Sequence, residues 1–316
     1  MVWFEILVGV ATLIAAVFAT LHYFKKEIEA KPVNEEKAES ENIAARFFRL
    51  FDSHGIHPNQ IPAFIGHNLT IADVQTEDGL INKLDETLLN YVCGLFAVRR
   101  EWLDGADNIV YETHDFYKQP EKFAEFIDQL NAQKNTRELY GVLLVAKESS
   151  NTHESALIVL RQTIVLSEER VFERYYLCNN WSYNYFKSKA YLTACIAIAW
   201  KKHVHLQARY VNQTLIKQYQ DGETLFEYSE TYESALPLVG SLWHPEDMAL
   251  KPDIYLEGVS EGQRGKVLAL QLWLSLQSKG FMDTGLHYEN IREEFELALA
   301  ELTNGQKTST LMSVRS

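Results

Sequence analysis

Hydrophobic and polar positions divide the chain into stretches of different rhythm. The first, residues 2–24, is a run of 23 positions in which Glu5 is the only charge. As a helix it would extend about 34 Å at roughly 1.5 Å per residue, enough to cross a bilayer. Trp3 and Tyr23 stand where interfacial aromatics are favoured, and Lys25 and Lys26 follow directly. A cleaved signal peptide would carry its basic residues before the run and a small-residue site after it. Here an acid precedes and lysines follow, so the run reads as a retained anchor. The positive-inside rule then leaves the N-terminus outside and places the rest in the cytoplasm. Residues 27–43 are charged, contain Pro32 and have no apolar period, as in a tether.

From residue 44 the spacing predicts short helices over ARFFRLF, IPAFIG and LDETLLNYVCGLF, with turns at Gly55, Gly66, Gly79 and Gly105. Pro120 opens a further helix, KFAEFIDQL. Continuous or alternating apolar runs follow, YGVLLVAK, ALIVLRQTIVL and VFERYYLC, and read as three strands. A long helix is expected over residues 183–219; its apolar block, 190–200, is too short to span a membrane and is expected to pack on the sheet. Two amphipathic helices, near 266–278 and 288–302, complete the pattern. The expected architecture is α+β: a transmembrane anchor (1–26), a charged linker (27–43), a small helical module (44–115), an α+β domain with a short sheet and a long helix (116–305), and a flexible tail (306–316).

Charge narrows the function classes. With 30 Lys+Arg against 43 Asp+Glu the net charge is -13, so nucleic acid would be held only by a local basic patch. The three cysteines, Cys93, Cys178 and Cys195, have no CxxC spacing and suit packing in a reducing compartment.

Residues 84–105, LDETLLNYVCGLFAVRREWLDG, carry an apolar helix, a short turn and Trp-Leu-x-Gly. Upstream, Gly55 and Gly66 are eleven residues apart with Ile61 between them, and Glu77-Asp78-Gly79 follows. Residues 44–105 thereby resemble the Cro/C1-type (XRE-like) helix-turn-helix domain. The resemblance implies a small helical bundle, and in that family helix two and the recognition helix face DNA. The basic residues available for that role are Arg46, Arg49, Arg99 and Arg100. The chain departs from the pattern, with Pro58 at the usual Gln and Pro62 at the usual Ala. The segment 69–79 has no Lys or Arg, and residues 44–115 hold five basic against eleven acidic side chains. Such a surface repels DNA, so a protein partner is the stronger expectation.

The charge reverses over residues 160–217, with nine basic and three acidic residues interleaved with aromatics. Arg174, Tyr176, Trp181, Lys187 and Lys189 are the candidate lining of a pocket for an anionic ligand or nucleotide. The same mixture would also serve as a core with a solvated basic rim, or as attraction to an anionic inner leaflet. No catalytic motif is found. His203 and His205 lack a third ligand, and GVSEGQRGK departs from a phosphate loop in glycine spacing and lacks its hydroxyl residue. No cofactor or metal is therefore expected. Together these features predict a bacterial single-pass inner-membrane protein of binding or regulatory type, with a tethered DNA-binding regulator and an anionic-ligand sensor or enzyme as alternatives. A reporter active only in the cytoplasm, fused after Ser316, is expected to work; activity from a periplasmic reporter alone would reverse the topology.

Overall fold

The computed structural model describes residues 41–146, 155–168, 170–227 and 241–313. Contacts divide the chain into two units, Met1–Glu41 and Asn42–Ser316. The expected anchor and nearly all of the linker lie outside the described residues. Within the described residues, no helix is long and apolar enough to cross a membrane.

The second unit begins with a helical module. Helix α1 (Ile43–Asp52) starts where Asn42 accepts a hydrogen bond from Ala45 N at 2.9 Å, and it buries Ala44, Phe47, Leu50 and Phe51 on one face. A 3₁₀ turn (Pro58–Gln60) leads into α2 (Ile61–Ile65), a second 3₁₀ turn (Ile71–Val74) into α3 (Glu77–Ile81), and Asp85 caps α4 (Glu86–Phe96). Ala97 ends α4 in the left-handed region at φ 56°, its N–H returning to Cys93 O, and α5 (Arg100–Leu103) buries Trp102 and Leu103. Gly55, Gly66 and Gly105 occupy positive-φ turns as expected, whereas Gly79 lies inside α3.

Six strands form one mixed sheet in the order β1-β4-β3-β2-β5-β6. They are β1 (Thr113–Asp115), β2 (Thr136–Ala146), β3 (Ser155–Ser167), β4 (Arg170–Ser182), β5 (Leu206–Val211) and β6 (Leu242–Trp243). The meander β2-β3-β4 is antiparallel, while β1 runs parallel to β4 and β5 parallel to β2. The two parallel pairings require crossovers, supplied by α6 (Pro120–Asn131) and α7 (Phe186–Lys201). A Cβ at Gly141 would lie 2.6 Å from Leu206 Cδ2 and 2.8 Å from Val159 O, so only bare backbone lets β5 close on β2 there.

One face of the sheet carries Leu143, Val145, Ile158 and Leu160 against Phe123 and Ile127 of α6 and the apolar α7. Helix α7 is covered in turn by α9 (Gly262–Ser278), whose Trp273 stacks on Phe295 of α10 (Ile291–Ser313) at 3.6 Å between ring centroids. Burial on both sides explains why the block at 190–200 is apolar all round. The other face, with Val142, Leu144, Val159 and Leu177, packs against the helical module and against α8 (Gln213–Gln220). Phe172 of β4 lies 5.2 Å from Phe96 and 5.6 Å from Phe64, joining sheet and module in one core. Core packing therefore runs across the expected division at residue 115.

The α+β class holds, with two corrections inside it. The sheet is not short: β3 and β4 have 13 residues each, and β1, β5 and β6 add to the three expected strands. The long helix expected over 183–219 is three elements, because α7 ends at Lys201, His203 turns the chain at φ 61°, and β5 follows. Val204, Leu206 and Ala208 are buried in alternation, a period of two that overrides helix propensity. Phe96→Ala is expected to cost about 3–5 kcal/mol and to lower the stability of module and sheet together, as one urea transition followed by far-UV circular dichroism and tryptophan fluorescence. Two separated transitions would show independent cores.

Candidate functional site

Alternation along β2, β3 and β4 puts a small set of polar side chains on the module-facing side of an otherwise apolar sheet. Arg161 is paired in register with Tyr140 on one neighbour and Tyr175 on the other, and Thr163 is paired with Glu173. Arg161 is 7% exposed. Its Nη2 and Nε donate to Glu173 Oε2 at 2.6 and 3.0 Å, and the Tyr175 hydroxyl donates to the same oxygen at 2.9 Å. The Tyr140 hydroxyl donates to Glu173 Oε1, and the Arg161 guanidinium lies 4.6 Å from the Tyr140 ring centroid. Removing a carboxylate and a guanidinium from water costs several kcal/mol per ion; charge-assisted hydrogen bonds to both carboxylate oxygens offset that cost. Burial, reinforced by the neighbouring Glu173, holds the Tyr140 and Tyr175 phenols well above the ordinary tyrosine range, so both remain donors.

The module supplies the roof. Just beyond α1, His54 Nδ1 lies 2.8 Å from Leu50 O, and the Ser53 hydroxyl donates to the same carbonyl at 2.7 Å. Nδ1 also lies 3.1 Å from the Ser53 hydroxyl oxygen, and the imidazole tautomer sets which of these partners donates. Nε2 is buried and has no hydrogen-bond partner. Burial is the largest influence on His54 and takes its pKa down to about 4, against the smaller opposing pull of Leu50 and Glu173.

Between roof and sheet lies a chamber of about 210 Å³, walled by Ser53, His54, Thr163, Phe172, Glu173 and Tyr175, with Val171 at its edge. His54 and Val171 also line an outer cleft of about 770 Å³, which runs past Asn59, Gln60 and Phe64 to Arg170. Arg170 is held there by donation from Nη1 to Phe64 O at 3.0 Å and from Nε to Ser167 at 3.1 Å.

The residues singled out in the sequence are placed elsewhere. Arg174 donates from Nε to Leu95 O at 2.6 Å and from Nη1 to Gln133 at 2.8 Å, tying β4 to α4 and to the loop after α6. The Tyr176 hydroxyl meets Gln162 at 2.8 Å, and the buried Trp181 donates to Cys178 O at 3.0 Å. Lys187 is exposed beside Phe186, whereas Lys189 is fully buried, donates to Glu257 O and lies 4.0 Å from the Tyr183 ring centroid. These five do not line a common cavity among the described pockets.

The arginines of the module are engaged by groups of the module itself. Arg46 donates to Trp102 O at 2.6 Å and to Asp107 O at 3.1 Å, and Arg49 lies 5.4 Å from the Trp102 ring centroid. Arg99 pairs with Asp107 at 2.7 Å, and Arg100 pairs with Glu86 at 3.0 Å and Asp104 at 2.8 Å. Cys93, Cys178 and Cys195 are free thiols buried in the core, and no group of three metal-ligating side chains occurs among the described residues.

The chamber left one signal in the sequence: Arg161 and Glu173, opposite charges inside apolar strand patterns, each need a buried partner. His54 left none, because a histidine after a helix is indistinguishable from a surface turn residue until the sheet is placed beneath it. No family model, curated protein or solved structure matches the chain.

His54 is neutral in the fold and titrates near 6.5 when unfolded, so the unfolded state binds more protons between those values. Stability is expected to fall as pH drops from about 6.5 to about 4, by on the order of 3 kcal/mol, with no further loss from this group at lower pH. Urea titrations at several pH values check this: His54→Gln should flatten that part of the profile, and an unchanged slope would refute the assignment.

Proposed function

We propose that this chain is a membrane-tethered binding or regulatory protein whose helical module engages a protein partner instead of DNA. The observation that carries the reading is the engagement of Arg46, Arg49, Arg99 and Arg100 by the module's own carbonyls, carboxylates and Trp102 ring. A DNA-reading module needs such side chains on phosphates, where each contributes to affinity and to its salt dependence. Here they staple α1 and α4 to the turn that closes the module.

The segment that would enter the major groove supports the same reading. Residues 69–79 form a four-residue 3₁₀ turn and the beginning of a five-residue helix, each with its own threonine cap, Thr70 and Thr76. Two short pieces do not present a row of side chains along a groove as a continuous recognition helix does. The surface they offer is acidic at Asp73, Glu77 and Asp78, with Ile71 59% and Ile81 41% exposed. Carboxylates around exposed isoleucines suit a basic, partly apolar protein surface. Residues 2–24 supply the anchor in this proposal, with the folded unit on the cytoplasmic side.

Fluorescence anisotropy with a mixed-sequence duplex at about 50 mM salt, in the range where phosphate contacts are strong, is expected to show no binding. Arg46→Ala should instead lower stability by about 1.5–3 kcal/mol, the usual range for a hydrogen bond to a charged group. Salt-dependent duplex binding that Arg99→Ala and Arg100→Ala abolish would restore the DNA-binding regulator.

A further inference from the structure

We propose that the outer cleft, between the 3₁₀ turn at Pro58–Gln60 and the facing Ser167 and Arg170, is a binding site for a small monocarboxylate with an apolar body. The Arg170 guanidinium and the side-chain amides of Asn59 and Gln60 are its donors. The site is distinct from the acidic face described above and does not depend on the partner assigned to it.

Hydrogen-bond capacity decides the ligand class. Arg170 donates from Nη1 to Phe64 O at 3.0 Å and to Ala63 O at 3.4 Å, and from Nε to Ser167 Oγ at 3.1 Å. These partners are neutral, and no carboxylate pairs with Arg170 among the described residues. Its charge is therefore unmatched, and Nη2, neither bonded nor buried, is open to solvent. The orientation of both amides is fixed by backbone groups. Gln60 Oε1 accepts from His57 N at 2.9 Å, which leaves its NH₂ uncommitted. Gln75 Nε2 donates to Ile71 O at 3.0 Å, so the Asn59 atom that meets the same nitrogen at 2.7 Å is Oδ1, and the Asn59 NH₂ is uncommitted as well. The acceptors of these side chains are thus taken, and their donors remain.

Charge and lining narrow the class further. Arg170 is the one cationic side chain among the residues that line the cleft, His54 being held neutral by burial. One positive charge matches a carboxylate, whereas a phosphate dianion would keep an excess charge beside it. Nε and Nη1 are occupied, so the two-pronged guanidinium grip is closed off. One carboxylate oxygen can take Nη2, and the other an amide NH₂. Ile56, Ala63, Phe64 and Val171 give the rest of the molecule an apolar wall. The volume of about 770 Å³ falls in the usual range for small-molecule sites. Glu168, which would oppose an anion, lines a separate hollow that meets the cleft only at Val171.

The test uses the full-length chain in non-ionic detergent and three probes of similar shape, phenylacetate, phenylacetamide and benzyl phosphate, read by thermal unfolding and calorimetric titration. Phenylacetate is expected to raise the unfolding temperature by about 3 °C at roughly tenfold over Kd. The amide and the phosphate should bind about tenfold more weakly, or not at all. Arg170→Gln removes the charge. Gln60→Glu keeps an oxygen for His57 N and replaces the outward NH₂ by an anionic oxygen. Each variant should weaken phenylacetate binding by about tenfold or more. Gln60 is exposed, so the second variant decides the matter if the first fails to fold. No response to phenylacetate overturns the proposal. So does an equal or stronger response to the amide or the phosphate, or undiminished phenylacetate binding in folded Gln60→Glu.

Discussion

The module-facing side of the sheet is organised around one half-buried carboxylate. Glu173 gathers Arg161 from β3, Tyr140 from β2 and Tyr175 from its own strand, so a single anion holds side chains from three adjacent strands. A charge so placed is tolerated only where its lone pairs are met, and the register of the meander meets them by setting Tyr140, Arg161 and Tyr175 in one row. The strands cannot slip by one residue without sending these groups to the opposite, apolar face. Glu173 also lines the small chamber beside His54, so the strand register shapes that chamber as well.

Above this cluster the helical module acts as a structural wall. Its aromatic side chains continue into the sheet through Phe172, and Arg174 fastens the last turn of α4 by its Leu95 carbonyl. Arg46 and Arg99 perform a related task within the module, meeting the carbonyl and carboxylate groups of its closing turn. Glu77 and Asp78 of the module remain exposed in this docking arrangement, so the surface proposed for a partner is left open by it.

Much of the architecture could be read in advance, for reasons visible in particular residues. The capped helices from residue 43 to 103, the helix opened by Pro120 and the strands of the meander carry strong local periodicity, and all are present. The misread segment, 183–219, failed because α7 is buried on both sides and shows no amphipathic stripe whose end could mark its boundary. The contacts of the candidate ligand residues were not legible for a different reason. Arg174, Tyr176 and Trp181 have the right chemistry for an anion, but their hydrogen-bonding capacity is directed to Leu95, Gln162 and Cys178, groups up to 79 positions away in sequence.

The order of amino acids alone determined the apolar N-terminal run, the helical module, the meander and the acidic balance, because each rests on composition or on a period of two or 3.6 residues. Only the tertiary structure decided which charges are committed to the protein itself. Hydrogen bonds are claimed by whatever group is nearest in space, and His54 is held neutral only when the sheet is placed beneath it.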